Sequence, residues 1–285
     1  MTAEILRYAA FTDNPQRGNP AGVVLDASGL SDAEMQAIAA DVGYSETAFL
    51  TSAGADRTYD VRYFSPAAEV PFCGHATIAT AVALAQRDGA GDLVFTTKAG
   101  PVAVRTQADG EGVTATLTSV APHVAPPLTD DELAPALAAL RWSAAELDPD
   151  LPPRIAYAGA RHLILPARTR ERLADLDYDF DALNSYMAER DLVTVDLVFR
   201  DGATTFHARN PFPVGGVVED PATGAAAAAF GAYLRALDLV TPPVRVTIHQ
   251  GDDLGRPSLL LVDIDAGDGG IHVTGQAVRI PEAMA

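Results

Sequence analysis

One pattern occurs twice in the chain and restricts its fold more than any other feature. In each copy, a strand-like segment leads into a proline-containing loop, an acidic residue, a turn of small residues and an alanine-rich helix. The first helix spans residues 76–86 and the second residues 225–237, and neither contains proline. Apolar helices of this kind are usually buried. The shared order predicts two similar halves of the α+β class.

A proline-rich stretch at residues 121–128 is the best candidate for the junction between these halves. We therefore expect an N-terminal domain at residues 1–120, completed by residues 272–285. The C-terminal domain is expected at residues 121–271.

Several local signals predict individual elements. Ser31 and Glu34 are spaced as a capping box that begins a helix. Residues 130–140 have a helical pattern. Residues 203–209 are expected to form a strand, and residues 210–213 the loop that follows it.

The charge and the cysteine content exclude several classes of function. The 285 residues carry a formal net charge of −18, which argues against binding to nucleic acid or to an anionic membrane. A small anionic substrate is still possible, because a local site can be positive inside an acidic protein. The single cysteine, Cys73, excludes an internal disulfide and cannot by itself form a thiolate zinc site. Because no signal-peptide-like or membrane-length apolar run is found, we expect a cytoplasmic protein.

Two short turns have the features of an anion-binding site. Residues 73–77 (Cys-Gly-His-Ala-Thr) and residues 220–224 (Asp-Pro-Ala-Thr-Gly) stand at the starts of the two alanine-rich helices. A helix start offers unpaired backbone N–H groups and the positive end of the helix dipole, and Gly74 and Gly224 let a ligand approach the backbone closely. If both turns face one cleft, they can hold a carboxylate without a basic side chain. The alternative is that the small residues only permit tight helix packing.

Four side chains near these turns are candidates for the chemistry. Glu46 opens an otherwise apolar strand, where burial would suit a general acid or base; alternatively, it faces water at a sheet edge. His75 is either a proton carrier or a structural histidine. Asp220, followed by Pro221, is predicted to be an N-cap that can also bind substrate. Cys73 is either an activated thiol or a small buried residue, and the lack of a second cysteine excludes a symmetric two-thiol racemase.

Five motifs follow one another along nearly the whole chain. They are Phe11-Thr12 with Gly18-Asn19-Pro20, Ser45-Glu46-Thr47, Phe72-Cys73-Gly74-His75-Ala76-Thr77, Glu219-Asp220-Pro221-Ala222-Thr223-Gly224, and Gln250-Gly251 with Gly255-Arg256-Pro257. Together, and in this order, they resemble the phenazine-biosynthesis PhzF-like family. The resemblance implies an α+β, diaminopimelate-epimerase-like fold, in which two pseudo-symmetric domains each wrap a sheet around a central helix. It also implies an active site between the domains, a homodimer, and no cofactor or metal.

The resemblance further implies roles for individual residues. In the phenazine isomerase a glutamate moves a proton between carbons of a cyclic dihydro-hydroxyanthranilate, and that glutamate matches Glu46. The family's histidine and aspartate match His75 and Asp220, which would orient the polar groups of the substrate. Backbone N–H groups near residues 74–75 and 224–225 would bind its carboxylate. The predicted substrate contacts are Asn19, Ser45, Cys73, Gly74, Ala76, Thr223, Gly224 and Ala225.

Two departures from the family pattern leave the substrate open. The phenazine isomerase has a serine where this chain has Ala225, and Cys73 occupies the place of one catalytic cysteine of the epimerases. Three functions are therefore considered. The first is a PhzF-like isomerase of a small carboxylate-bearing compound, with Glu46 as acid and base. The second is an amino- or imino-acid epimerase or dehydratase that uses Cys73. The third is a metabolite-binding protein without turnover.

Overall fold

Each alanine-rich helix lies in its own folding unit. The computed structural model describes residues 3–110, 112–281 and 283. Unit 1 comprises Met1–Thr118 and Val273–Ala285, and unit 2 comprises Ser119–His272. None of the helices among the described residues has the length and apolar character needed to cross a membrane.

The described residues form seventeen strands and six helices. The strands are β1 (Leu6–Ala10), β2 (Asn19–Val24), β3 (Glu46–Ala53), β4 (Thr58–Phe64), β5 (Glu69–Val70), β6 (Asp92–Thr97), β7 (Gly100–Asp109), β8 (Gly112–Thr118), β9 (His123–Val124), β10 (Arg154–Tyr157), β11 (Arg161–Pro166), β12 (Thr194–Arg200), β13 (Thr205–Phe212), β14 (Val217–Asp220), β15 (Val244–Gln250), β16 (Ser258–Ile264) and β17 (His272–Arg279). The helices are α1 (Asp32–Val42), α2 (Gly74–Asp88), α3 (Asp130–Leu140), α4 (Arg170–Ala174), α5 (Phe180–Glu189) and α6 (Gly224–Ala236).

The sheet of unit 1 closes around α2. Its strands pair in the order β1, β2, β3, β4, β6, β7, β8. The pairs β2–β3 and β4–β6 are parallel, and the other pairs are antiparallel. The C-terminal strand β17 pairs with both β1 and β8 and so completes the ring. Residues 75–85 of α2 are all buried. A helix buried on every side has to be apolar and slim, which explains its alanines.

Unit 2 repeats this order of pairings around α6. β9, β10 and β11 are antiparallel neighbours, β11 and β12 are parallel, β12 and β13 antiparallel, β13 and β15 parallel, and β15 and β16 antiparallel. Gly231 of α6 is required by the packing, because a Cβ there would lie 2.8 Å from Val262 and 2.9 Å from Ile271. Helices α3 and α5 add a further apolar core that includes Leu137, Leu183 and Met187.

Equivalent ion pairs support the repeat at the level of side chains. In unit 1, Arg62 of β4 donates to both carboxylate oxygens of Glu69 in β5, at 2.8 and 2.7 Å. In unit 2, Arg209 of β13 donates to both oxygens of Glu219 in β14, at 2.9 and 2.5 Å. Each pair holds the short strand that precedes the alanine-rich helix of its unit.

Most of the local predictions agree with these elements, but the loop expected at residues 210–213 is wrong. Ser31 and Glu34 form the predicted capping box, and α3 spans residues 130–140. Residues 210–212, however, do not form a loop but the end of β13, where they pair with β14. The register shifts between Pro211 and Phe212. A bulge of this kind accommodates proline, which has no N–H to donate within a sheet.

Candidate active site

Glu46 is the first residue of β3 and is buried. β3 lies between two neighbours: Ala21 of β2 pairs with Glu46, and Thr47 pairs with Phe64 of β4. The residue is only 9% exposed. The alternative prediction, a glutamate that faces water at the sheet edge, is therefore wrong.

The start of α2 presents a thiol and an imidazole. Cys73 is the N-cap residue, with an extended backbone, and its side chain makes no capping hydrogen bond. Its carbonyl oxygen accepts from the hydroxyl of Thr77 at 2.6 Å and from the backbone N–H of Thr77 at 3.0 Å. His75 follows Gly74 in the first turn and is 4% exposed. Because the thiol of Cys73 does not cap the helix, it is available for contacts with neighbouring side chains.

These neighbours form one buried cluster in unit 1. The thiol of Cys73 donates to Oε2 of Glu46 at 3.5 Å, and its sulfur lies 3.4 Å from Nδ1 of His75. Nε2 of His75 lies 3.4 Å from the same carboxylate oxygen and 3.3 Å from Oγ of Ser45. The cluster can therefore pass a proton between a carboxylate, a thiol and an imidazole. Within the described part of the chain, Glu46, Cys73 and His75 also form the one group whose donor atoms could hold a metal ion, all within 4.8 Å of one another.

The other predicted contacts in unit 1 differ in their surroundings. Asn19 is the first residue of β2 and pairs with Ala10 of β1, and it is 1% exposed. Gly74 is the first residue of α2, where its backbone N–H belongs to the open first turn. Ala76 is fully buried within α2, so its side chain belongs to the core.

In unit 2, the prediction that Asp220 caps the second helix is wrong. Asp220 ends β14, and the N-cap residue of α6 is Thr223, with Gly224 as the first helical residue. The pairing of Asp220 with Asn210 of β13 keeps it in the strand. Its Oδ2 accepts a hydrogen bond from the hydroxyl of Thr223 at 2.6 Å, and the residue is 7% exposed. The carboxylate is thus held at the helix start without capping it.

Gln250 organises this turn, a role that was not predicted from the sequence. Its Nε2 donates to the carbonyl oxygen of Asp220 at 2.8 Å and to the hydroxyl of Thr223 at 3.0 Å. Its Oε1 accepts from the backbone N–H of Thr223 at 2.9 Å. The motif Gln250-Gly251 was the available signal, although nothing local in it indicates contact with a turn some thirty residues away.

Gly251 completes this contact between distant segments. It has a φ of +79°, and a Cβ at this position would lie 2.7 Å from the carbonyl oxygen of Pro221 and 2.4 Å from that of Arg256. Backbone oxygens cannot give way as a flexible side chain does. Glycine is therefore needed for the chain to pass this close to the turn before α6.

The two units carry different groups at equivalent positions. Glu46 and Thr194 are the first residues of equivalent strands, and Gly74 and Gly224 are the first residues of equivalent helices. The aligned pairs are Glu46 with Thr194, Cys73 with Thr223, and His75 with Ala225. The three titratable groups of the cluster in unit 1 thus have no titratable residue at the aligned positions of unit 2. The structure brings Glu46, Cys73 and His75 together in unit 1. It likewise brings Asp220 and Thr223 together in unit 2. That both sets act on one substrate stays a prediction.

Comparisons with known proteins agree with this architecture. The family described as phenazine biosynthesis-like protein matches residues 8–283. An uncharacterised isomerase of Escherichia coli O157:H7 is 34% identical, covering 94% of this chain and 92% of its own. A trans-2,3-dihydro-3-hydroxyanthranilate isomerase of Pseudomonas chlororaphis is 32% identical, covering 88% of this chain and 86% of its own. A solved structure of a predicted epimerase from Pseudomonas aeruginosa is 29% identical, covers 98% of both chains and has a TM-score of 0.88. The expected fold is confirmed.

Proposed function

We propose a function from one premise: this chain belongs to the phenazine biosynthesis-like family and is one of its isomerases. The proposed reaction moves a proton between two carbons of a small substrate that bears a carboxylate. Glu46 removes the proton and returns it, while His75 and Asp220 orient the polar groups of the substrate. Backbone N–H groups near residues 74–75 and 224–225 bind the carboxylate, as helix starts do for anions. A proton transfer of this kind uses acid–base groups alone.

One observation carries the proposal: Glu46 is buried against two groups that can share its proton. Burial and contact with other proton carriers are features typical of a general acid or base in an active site. The carboxylate meets the thiol of Cys73 at 3.5 Å and the imidazole of His75 at 3.4 Å. Contacts of this length are normal without substrate, because catalytic hydrogen bonds tighten when the substrate binds.

The unequal units favour one base over two. Inversion at a carbon requires a second acid or base on the opposite face of that carbon. At the positions of Glu46, Cys73 and His75, unit 2 carries Thr194, Thr223 and Ala225. None of these three can serve as a base near neutral pH, and the Asp220 carboxylate at the start of α6 already accepts a hydrogen bond from the hydroxyl of Thr223 at 2.6 Å. A single carboxylate that takes and returns the proton fits this distribution.

A second candidate function rests on the thiol of Cys73. Its sulfur lies 3.4 Å from Nδ1 of His75, and a neighbouring imidazole is a common means of activating a cysteine. In this case the chain would be an epimerase or dehydratase of an amino or imino acid, with Cys73 as one base.

Deuterium incorporation separates these functions. The wild type and the variants Glu46→Gln and Cys73→Ser are incubated in D₂O with trans-2,3-dihydro-3-hydroxyanthranilate, the compound named for the Pseudomonas chlororaphis relative. A panel of small carboxylate metabolites is tested in parallel, with products and deuterium content followed by mass spectrometry. We expect Glu46→Gln to lower turnover and exchange by about 10²–10⁴-fold, the usual contribution of general acid–base catalysis. Cys73→Ser should stay within about tenfold of the wild type, as expected for a residue beside the reacting atoms rather than at them.

Two outcomes would contradict the proposal. If Cys73→Ser abolishes exchange and Glu46→Gln retains it, the epimerase or dehydratase is correct. If a compound binds the wild type, yet neither changes nor gains deuterium with Glu46 intact, the chain is a metabolite-binding protein.

A further inference from the structure

The donor atoms of Glu46, Cys73 and His75 form a triangle with the dimensions of a zinc site. We propose that these three side chains bind one Zn²⁺ ion, which inhibits the enzyme by occupying its acid–base cluster. The sides of the triangle are 3.5 Å from Sγ of Cys73 to Oε2 of Glu46, 3.4 Å from Oε2 to Nε2 of His75, and 3.8 Å from Nε2 to Sγ.

The bond lengths of zinc account for these separations. Zinc binds sulfur at about 2.3 Å and nitrogen or oxygen at about 2.0–2.2 Å, so two ligands of a tetrahedral ion lie about 3.4–3.6 Å apart. Two sides of the triangle already match. The third, from Nε2 to Sγ at 3.8 Å, is slightly long, so binding requires the imidazole to move closer to the sulfur. Nδ1 of His75 lies 3.4 Å from the same sulfur.

The ligand types favour zinc over the common hard cations. Mg²⁺ and Ca²⁺ prefer sites made of oxygen atoms, whereas a thiolate and an imidazole favour zinc and similar transition ions. Three protein ligands also leave the fourth position of a tetrahedral ion open for water. Binding requires that the thiol lose its proton, so proton release accompanies it. The bound ion would hold the Glu46 carboxylate that the proposed reaction needs, which makes it an inhibitor rather than a cofactor.

Among the described residues, a histidine pair in unit 2 does not belong to any group of three converging donor atoms and therefore provides a control. The rings of His207 and His249 stack with their centroids 5.2 Å apart. Nε2 of His207 lies 3.4 Å from Oδ2 of Asp201, and its Nδ1 lies 3.5 Å from Oδ2 of Asp252. Histidine and aspartate alone can bind transition ions, but this pair contains no thiol. A spectroscopic signal from a metal-bound thiolate therefore distinguishes the two sites.

Cobalt reports on the site directly. The full chain is treated with a chelator, desalted and titrated with Co²⁺, and the thiolate-to-cobalt charge-transfer absorption is measured. Since the chain has one cysteine, this absorption can come only from Cys73. We expect a stoichiometry of one, displacement of Co²⁺ by Zn²⁺, and release of a proton, measured in buffers of different ionisation enthalpy by calorimetry.

Two variants test the proposed ligands, and a third serves as the control. Cys73→Ser should abolish the absorption. Cys73→Ser and His75→Asn should each weaken Zn²⁺ binding by more than about tenfold, because losing even an outer-shell partner costs about 10–100-fold. His207→Asn should bind Zn²⁺ as the wild type does. Thermal unfolding in the absence of metal confirms that each variant is folded.

The proposal is overturned if the wild type, freed of metal and then titrated with Co²⁺, shows no thiolate-to-cobalt absorption. It is equally overturned if Cys73→Ser binds Zn²⁺ as tightly as the wild type while His207→Asn does not. The measurement uses no substrate, so its failure leaves the proposed isomerase reaction untouched. Likewise, loss of the role assigned to Glu46 in the deuterium experiment would not remove the metal site.

Discussion

Replacing Asp196 by asparagine is expected to stabilise the protein at neutral and alkaline pH. Asp196 lies in β12 and is 2% exposed. Its Oδ1 accepts from the side-chain amide of Asn210 at 3.0 Å, and the hydroxyl of Thr194 donates to that amide's oxygen at 2.6 Å. Burial raises the pKa of Asp196 to about 7, and the hydrogen bond from the neutral Asn210 lowers it only in part.

The size of the effect follows from this pKa. The carboxyl has a higher pKa in the folded state than in the unfolded state. The free energy of unfolding therefore falls as the pH rises above the unfolded pKa, and it stops falling once the pH has passed the folded pKa. The two pKa values are 3.8 and about 7, and each pH unit between them costs about 1.36 kcal/mol of stability. The total loss of stability is about 4 kcal/mol, of which about 2 kcal/mol develops between about pH 5.5 and pH 8. Asparagine keeps the acceptor for Asn210 and has no charge to bury.

The assay is urea unfolding of the wild type and of Asp196→Asn across this pH interval, away from the isoelectric point near 4.5. The difference in free energy of unfolding between the two proteins is the informative quantity, because the other titrating groups cancel. One of these is His162, which burial keeps neutral by lowering its pKa to about 3. Asp150→Asn, at an exposed aspartate of the same unit, serves as the matched control.

We expect the difference for Asp196→Asn to grow in favour of the variant by about 2 kcal/mol from about pH 5.5 to pH 8. The difference for the control should stay constant. A difference for Asp196→Asn that does not change with pH would refute the reasoning, because it would mean that the buried carboxyl ionises equally easily in the folded and unfolded chains.

Two further pairs of variants test the contacts around the second helix start. Gly251→Ala should lower the free energy of unfolding by about 2 kcal/mol or more, because the new Cβ meets backbone oxygens at 2.4 and 2.7 Å. Gly255→Ala, with a similar φ and no atom within 4 Å, should lose about 1 kcal/mol in urea unfolding, and equal losses would contradict the steric argument. Arg209→Met should cost about 3–5 kcal/mol because Glu219 is left buried without its cation. Arg62→Met should cost less than Arg209→Met, because its partner carboxylate is less buried and keeps a lysine contact, and an equal cost would contradict this.

Elements that depend on neighbouring residues could be predicted from the sequence. The capping box of Ser31 and Glu34 acts within one turn of helix, so its signal lies entirely within four residues. The alanine-rich composition of α2 and α6 likewise predicted buried helices, because a helix without polar faces has no side suited to water.

Elements that depend on distant pairing could not be predicted in this way. Residues 210–212 contain a proline and were expected to form a loop, yet pairing with β14 retains them in β13. The same pairing keeps Asp220 in the strand and leaves the N-cap position to Thr223. In both cases, cross-strand hydrogen bonds outweigh the local preference for a turn or a cap.

The sequence by itself determined which chemical groups the protein has: one thiol, a histidine beside it at a helix start, and a glutamate at the head of a strand. Only the tertiary structure decided that these groups meet. The parallel pairing of β2 and β3 buries Glu46, and the closed sheet around α2 brings Cys73, 27 residues later, to 3.5 Å from it. The same holds for Gln250 and the turn before α6. Contacts of this kind arise from packing between segments far apart in the chain, for which no local pattern carries a signal.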